Sequence, residues 1–216
     1  IGIILGILPW NYPLWQIIRY LIPALMVGNT CLIKPAFNTH RIALKLVDCF
    51  NKFEPTIVNS CIPTNNNTEA LIKHPNIAGI SFTGSLKSGQ RVGSIATSEL
   101  KPCVLELGGS DPFVVFEDAH LDTALDHAIK ARFTNSGQVC IAAKRFFFNE
   151  KIYNTSLSLF KKKLAQFCSY GDPLNASTTI GPLSRTDIKT TLEDQLRRSH
   201  VTPEMIVYEN KNHLSN

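Results

Sequence analysis

Cys140 ends the run NSGQVC at residues 135–140, and a carboxylate followed by glycines precedes it in the run LELGG at residues 105–109. A cysteine thiolate attacks carbonyl carbons well, although only about a few per cent of a free thiol is ionised near neutral pH. Glu106, in the second run, is a carboxylate of the kind that activates water against a thioester by general base catalysis. The two runs together predict a thiol nucleophile with a separate base, and the natural electrophile for that pair is an aldehyde.

Cysteine usage also supports a second interpretation, in which Cys140 simply packs in the core. Free cysteines are among the most buried residue types, so Cys140 taken alone is better explained by packing. The same interpretation applies to the other five cysteines, which are Cys31, Cys49, Cys61, Cys103 and Cys168. Their spacing includes no Cys-x-x-Cys and no histidine pair at ligand spacing, so no metal site is predicted. Without a signal peptide, the thiols are expected to stay reduced in a cytoplasm.

Composition and charge limit the class of protein. The 216 residues are 44% hydrophobic and 18% charged, which is enough to bury the core of one large domain or two small ones. The longest apolar stretch, residues 14–27, is interrupted by Arg19 and Pro23 and is too short to cross a bilayer, so a soluble protein without a membrane partner is predicted. The net charge of +5 is scattered, and the lysine run at residues 161–163 has no interleaved aromatic residues. No nucleic-acid partner is therefore expected.

Short β-branched runs alternate with amphipathic stretches along the chain. They predict strands at residues 1–8, 30–34, 57–58, 77–82, 103–107, 113–116 and 144–148, and helices at residues 14–27, 39–50, 68–73, 85–96, 121–132, 152–169 and from after 185 to about 200. Thr39 is the expected cap of the second helix, and the acidic Asp118 and Asp122 are expected to open the helix at residues 121–132. The alternation predicts an α/β fold with a doubly wound parallel sheet, which binds ligands at the carboxyl ends of its strands.

Two predicted strands end in motifs that could hold a ligand. The run TGSLKSG at residues 83–89 leads directly into a helix, whose free amides and dipole favour a phosphate. A plain glycine turn capped by Ser85 explains this run about as well. The run WNYP at residues 10–13 places the Asn11 amide after a strand, where it could donate to a developing oxyanion or could belong to an ordinary turn.

Several blocks, taken together and in order, resemble the aldehyde dehydrogenase superfamily and are most like its succinate-semialdehyde dehydrogenase branch. The blocks are PWNYP (9–13), IKPA (33–36), FTGS (82–85), LELGG (105–109), GQVC (137–140), and GDP (171–173) with GP (181–182). The resemblance covers residues 1 to about 198. It implies a Rossmann-like aldehyde dehydrogenase fold that is incomplete at both ends, because the family's fold continues on both sides of the matched segment. The chain also opens inside a predicted strand without an initiator methionine. Residues 1–108 would be part of the dinucleotide-binding domain and residues 109–200 part of the catalytic domain, with a divergent tail at residues 201–216.

The resemblance also implies catalytic roles. Cys140 would attack the aldehyde, while the Asn11 side chain and the Cys140 backbone amide hold the tetrahedral oxyanion. Glu106 would act as the general base that hydrolyses the thioester to a carboxylic acid, which argues against the coenzyme-A-acylating branch. Arg19, eight residues after Asn11, would bind the carboxylate of succinate semialdehyde. A salt bridge to an acidic residue elsewhere is the alternative for Arg19, because a bare charge inside an apolar helix is costly.

The implied cofactor is NADP or NAD. Lys34 would donate to the ribose hydroxyls, Ser85 with Gly84 would hold the pyrophosphate, and Leu107 would lie near the nicotinamide. The full set implied for cofactor binding is Trp10, Asn11, Lys34, Pro35, Ala36, Phe37, Gly84, Ser85 and Leu107. Phe37 replaces the glutamate that in one common family pattern disfavours a 2′-phosphate, so NADP is expected to bind at least as well as NAD.

Two classes of function remain open from the sequence. The first is an NAD(P)-dependent aldehyde dehydrogenase, acting on succinate semialdehyde or a similar short aldehyde, whose full-length parent is a homo-oligomer. The second is a truncated, non-catalytic remnant or a partial dinucleotide-binding module in which the nucleophile survives by descent.

Overall fold

The structure is a computed structural model that describes residues 2–202. The chain divides into two compact units, with the division between Gly108 and Gly109. The sequence prediction also divides the chain after residue 108, and the functions given to the two parts stay predictions. Most of the predicted tail at residues 201–216 lies outside the described residues.

The first unit is a five-stranded parallel sheet with helices on both faces. Its elements are β1 (Ile3–Ile7), α1 (Pro13–Met26), β2 (Thr30–Lys34), α2 (His40–Phe50), β3 (Val58–Ser60), α3 (Asn65–Lys73), β4 (Ile77–Thr83), α4 (Leu86–Ser98) and β5 (Cys103–Glu106). The strands lie in the order β3-β2-β1-β4-β5, and every neighbouring pair is parallel. The strand order reverses between β1 and β4, which makes the carboxyl ends of these two strands the expected ligand-binding crevice.

Side chains that alternate along β1 fill two hydrophobic cores, one on each face of the sheet. Leu5 and Ile7 pack with Ile72 of α3 and Val92 of α4 in the first core. The second core holds residues of α1 and α2, among them Ile17, Leu21 and Ala43, together with Ile33 of β2. Burial on both faces explains why these strands are apolar almost throughout, and it confirms the predicted doubly wound α/β fold.

The second unit contains a smaller parallel pair of strands. Its elements are β6 (Asp111–Val115), α5 (Leu121–Phe133), β7 (Ala143–Phe148), α6 (Tyr153–Phe167) and α7 (Thr186–Arg198). Strands β6 and β7 pair in parallel, and α5 makes the crossover that a parallel pair requires. The rings of Phe113, Phe146 and Phe160 pack in sequence between this pair and α6, with centroids 5.8 and 5.6 Å apart.

The helix caps differ in part from those predicted from the sequence. Helix α3 begins at Asn65 rather than residue 68, because the Thr64 hydroxyl accepts the amide of Asn67 and caps it. Thr39 occupies the N-cap position of α2, but its hydroxyl donates to the Ala36 carbonyl and caps nothing. At α5 the capping side chain is His120, which accepts the amide of Thr123, and the acidic Asp122 lies in the first turn as predicted.

Among the described residues, no helix is both long enough and apolar enough to span a membrane.

Candidate functional site

A cavity of about 220 Å³ lies at the carboxyl edge of the first unit's sheet, where the strand order reverses. Ile7 at the end of β1 and Phe82 near the end of β4 form its floor, and Lys34 at the end of β2 lines it. Burial lowers the pKa of the Lys34 ammonium. A partly desolvated cation at the switch point of a parallel sheet suits an anionic or hydroxyl-bearing ligand.

Helices α3 and α4 add charged groups to this cavity that the sequence did not single out. Arg91 of α4 and Glu69 of α3 line it and form an ion pair of 3.3 Å. Glu69 also pairs with Lys73 at 2.9 Å, and hydrogen bonds from Lys73 and then Arg91 lower the pKa of its carboxyl. The i,i+4 spacing of Glu69 and Lys73 was visible in the sequence, whereas the contact to Arg91 depends on helix packing.

Ser85 and Gly84 join β4 to α4 beside this cavity. The Ser85 hydroxyl accepts the Ser88 amide at 3.3 Å and lies 3.0 Å from the Ser88 hydroxyl, so Ser85 is the N-cap of α4. The Gly84 amide donates to the Glu106 carbonyl at 3.0 Å, which ties this turn to the end of β5. The capping interpretation of Ser85 is confirmed, and the pyrophosphate role remains a prediction.

The other residues implied for cofactor binding lie on turns and strand ends of the first unit. Trp10 and Asn11 are half-buried between β1 and α1. Pro35 is buried and Ala36 half-buried directly after β2, whereas the side chain of Phe37 is 78% exposed and its ring lies 6.0 Å from that of His40. Leu107 packs on the first core beside Gly89, where an added Cβ would lie 2.3 Å from a Leu107 methyl group.

A second cavity, of about 270 Å³, lies in the first unit between α1 and strands β4 and β5. Gln16, Arg19 and Tyr20 line it from the helix, and Ser81, Thr83, Val104 and Glu106 from the strands. The Arg19 guanidinium forms an ion pair with the Glu106 carboxylate. The two side chains are 40% and 48% exposed, and Arg19 has the charged partner that its place in an apolar helix led us to expect. Of the two partners considered for Arg19, an acidic residue of the fold is the one observed.

Cys140 belongs to the second unit, and all other predicted site residues belong to the first. It is half-buried in a turn between α5 and β7, directly after a short 3₁₀ turn at Thr134–Gly137. Three consecutive residues of this loop have left-handed backbones, with φ of 53° at Asn135, 56° at Ser136 and 76° at Gly137. Such conformations persist only where the surroundings hold them, and they cluster at functional sites.

Two basic side chains hold the loop that carries Cys140. Arg132, at the end of α5, donates to the carbonyls of Gly137 and Ala143, both at 2.9 Å. Lys144, in β7, donates to the Cys140 carbonyl at 2.9 Å and to the Ala142 carbonyl at 3.2 Å. Sequence reasoning missed both residues because no motif distinguishes a cation that binds carbonyls from one on the surface.

A distant segment of the second unit also contacts this loop. The Ser136 hydroxyl accepts the Gly181 amide at 3.0 Å and donates to the Gly181 carbonyl at 3.2 Å. The side-chain oxygen of Gln138 accepts the Ser184 amide at 3.1 Å. The Gly181-Pro182 block, noted in the sequence without a role, therefore lies against the residues that precede the thiol.

The remaining cysteines fit the packing interpretation in most cases. Cys31 is 2% exposed, and burial raises the pKa of its thiol to about 11. Burial likewise raises the pKa of Cys61, Cys103 and Cys168. Cys49 is exposed on α2.

Comparison with known proteins gives a consistent result. The model of the aldehyde dehydrogenase family matches residues 1–212. The NADP+-dependent succinate-semialdehyde dehydrogenase 1 of Mycobacterium tuberculosis is 42% identical over 200 residues, which are 90% of this chain and 44% of that protein. The corresponding enzyme of Mycobacterium leprae is 41% identical over 198 residues, 91% of this chain and 43% of that protein.

Solved structures agree with these sequence matches. Succinic semialdehyde dehydrogenase of Streptococcus pyogenes, solved with NADP+, superposes with a TM-score of 0.86 at 31% identity, covering 91% of this chain and 44% of that one. Betaine aldehyde dehydrogenase of Staphylococcus aureus, solved with NAD+, also gives 0.86, at 26% identity over 91% of this chain and 39% of that one. The chain thus spans less than half the length of the curated relatives it matches.

Proposed function

Because the chain belongs to the aldehyde dehydrogenase family, we propose that it is part of an NADP-dependent enzyme that oxidises succinate semialdehyde, or a similar short aldehyde, to the carboxylic acid. The observation that carries this proposal is the similarity of nearly the whole chain to NADP+-dependent succinate-semialdehyde dehydrogenases. The cavity lined by Lys34 and Arg91, at the switch point of the sheet, supports a phosphate-bearing dinucleotide as cofactor.

In the proposed reaction, the Cys140 thiolate attacks the aldehyde carbon and forms a thiohemiacetal. The Asn11 side-chain amide and the Cys140 backbone amide donate to the oxyanion. Bound NADP+ would supply the acceptor for the hydride, and loss of that hydride from the aldehyde carbon would leave a thioester on Cys140. Glu106 then takes a proton from water, the resulting hydroxide attacks the thioester, and the acid leaves as the thiol is restored.

The loop geometry supports Cys140 as the nucleophile. Lys144 donates to the Cys140 carbonyl, Arg132 donates to loop carbonyls on both sides of the thiol, and Gly181 bonds the Ser136 side chain. A buried core cysteine needs no such support, because packing alone fixes it. A nucleophile does, since small displacements from the reactive geometry lower the rate strongly.

For the cofactor, we propose that Lys34 binds the adenine ribose and that Trp10 and residues 34–37 line the adenosine site. Gly84 and Ser85 would contact the pyrophosphate, and Leu107 the nicotinamide. The chemistry of the cavity fits a phosphorylated ribose, because the desolvated Lys34 ammonium and the Arg91 guanidinium line it beside one carboxylate, that of Glu69.

Hydride transfer by the purified chain tests the proposal. Reduced-cofactor absorbance would be followed with NADP and succinate semialdehyde, beside Cys140→Ala and the matched control Cys49→Ala, which removes an exposed thiol. We expect turnover in the wild type and the control and none in Cys140→Ala. If the folded chain binds NADP without turnover, it is a non-catalytic remnant. If the folded chain binds no dinucleotide, the proposal is overturned. The homo-oligomeric parent and the cytoplasmic location stay predictions.

A further inference from the structure

The ion pair between Arg19 and Glu106 joins two residues to which the proposed reaction gives different tasks. Arg19 would anchor the substrate carboxylate, and Glu106 would activate the hydrolytic water. In the structure the Arg19 guanidinium and the Glu106 carboxylate bind each other beside the cavity between α1 and strands β4 and β5. A carboxylate oxygen that accepts from a guanidinium is not available to accept from the hydrolytic water.

We propose that Arg19 is a substrate-released clamp on Glu106: a carboxylate-bearing substrate takes the guanidinium, and Glu106 is thereby freed to act as the base. This inference rests on the proposed function and deepens it. It makes the carboxylate of the substrate a requirement of the hydrolytic step as well as of binding.

Competition between the two carboxylates follows from their like charge. The atom of Arg19 that meets Glu106 is Nη2. A bidentate carboxylate uses Nη2 together with Nε or with Nη1, so in either arrangement it would lie next to the Glu106 carboxylate. Two carboxylates on one guanidinium also repel each other, which favours exchange over joint occupancy.

Exposure makes the exchange easy. Both side chains are more than a third exposed, and ion pairs of this kind contribute little to stability. Glu106 therefore resists a substrate carboxylate only weakly. The cavity also offers the incoming ligand polar side chains, among them the amide of Gln16 and the hydroxyls of Ser81 and Thr83.

Succinate binding to the full 216-residue chain tests the clamp without requiring turnover. Succinate carries the same carboxylate as the semialdehyde and does not react with a thiol. We expect Glu106→Gln to bind succinate about 2- to 5-fold more tightly than the wild type, because the competing carboxylate is gone. We expect Arg19→Leu to lose most of the affinity and Arg19→Lys to retain part of it, since a lysine keeps the charge without the fork.

The pair Asp194 and Arg197 on α7 is the control, because it is an exposed acidic–arginine pair that lines neither cavity. Asp194→Asn and Arg197→Leu should leave succinate affinity unchanged. Circular dichroism of each variant would confirm that it is folded.

Equal affinity of Glu106→Gln and the wild type would overturn the clamp. So would wild-type affinity in Arg19→Leu, or the absence of succinate binding in both the wild type and Glu106→Gln. A parallel titration with NADP separates this outcome from failure of the proposed function: NADP binding without the succinate pattern rejects the clamp alone, whereas loss of both rejects the dehydrogenase as well.

Discussion

At the scale of single residues, burial separates Cys31 from the proposed nucleophile. Cys31 lies in the second core of the first unit beside Tyr20, and desolvation raises the pKa of its thiol to about 11. A thiol that stays protonated is unreactive, which suits a packing role. The spacing of cysteines in the sequence could not show this difference, because it depends on which neighbours exclude water.

The raised pKa of Cys31 predicts a pH dependence of stability. The folded state keeps the proton to higher pH than the unfolded state, where a cysteine has a pKa of about 8.5. The contribution of Cys31 to the free energy of unfolding is therefore full below about pH 8.5, and it is lost as the pH rises through about 11. We expect a loss on the order of 2 kcal/mol, measured by urea unfolding at several pH values.

Cys31→Ser removes the titrating thiol and provides the comparison. Its free energy of unfolding should fall less steeply between pH 8.5 and pH 10 than that of the wild type. Burial and, after it, the neighbouring Cys31 raise the pKa of the Tyr20 hydroxyl, so the comparison reports on the coupled pair of groups. Parallel pH profiles would contradict the prediction.

Phe37 is the residue that we expect to influence the preference for NADP over NAD. Its side chain is exposed directly after β2, close in sequence to Lys34, which lines the switch-point cavity. Phe37→Glu would place a carboxylate where a 2′-phosphate is expected, and the repulsion should weaken NADP binding at least about tenfold relative to NAD. Titration of both dinucleotides measures the ratio. Phe37→Gln, similar in size and uncharged, should change it little, and a wild-type chain with strong NAD preference would refute the premise.

At the scale of elements, the loop between α5 and β7 has an irregular backbone and carries the proposed nucleophile, Cys140. Its three left-handed residues end at Gly137, where an added Cβ would lie 2.4 Å from Arg132 Nη2 and 3.0 Å from the Arg132 carbonyl oxygen. Glycine is therefore required here both by the backbone and by the approach of Arg132.

Gly137→Ala should lower the free energy of unfolding by about 1–2 kcal/mol or more, because alanine is strained at positive φ and meets Arg132 as well. Gly108→Ala is the matched control, since nothing lies within 4 Å of the Cβ it would add. Urea unfolding of both variants gives the comparison. Equal losses in the two would show that the loop relaxes around the added methyl group.

Helix α4 allows the two interpretations of Ser85 to be separated. Loss of the cap in Ser85→Ala should cost about 1 kcal/mol of stability. Thr64→Ala removes the equivalent cap from α3 and should cost about as much. If Ser85 also contacts the pyrophosphate, NADP affinity should fall in Ser85→Ala and not in Thr64→Ala. Unchanged affinity in both would leave Ser85 as a cap alone.

At the scale of the whole molecule, the sequence predicted the class of fold well and the side-chain contacts poorly. Burial on both faces gives parallel strands continuous apolar runs, so β1, β2 and β4 were visible at nearly their observed bounds. The sequence prediction began helix α3 at residue 68 rather than at Asn65, because the first turn is polar and depends on the Thr64 cap. The pairing of Arg19 with Glu106 joins residues 87 positions apart, and no periodicity in the sequence encodes such a contact.

We expect the chain to associate with other copies of itself through strand β5. It is the last strand in the order of the sheet, and the side chain of Val104 is 63% exposed on it. Exposed apolar edge strands pair with other chains, and a lysine on the edge opposes this. Val104→Lys should therefore lower the apparent mass in concentrated solution, measured by light scattering. Leu100→Lys, at a residue 92% exposed in the turn before β5, should have less effect, and equal effects would exclude the edge as the cause.

The contact between Ser136 and Gly181 has a consequence for the order in which the second unit forms. Its two hydrogen bonds close a span of 45 residues, so the segment before Cys140 cannot complete its contacts until residue 181 has been synthesised. During translation Cys140 is therefore synthesised before Gly181, which binds the loop that carries it. The proposed nucleophile acquires its final setting only after α6 and the turn that follows have left the ribosome.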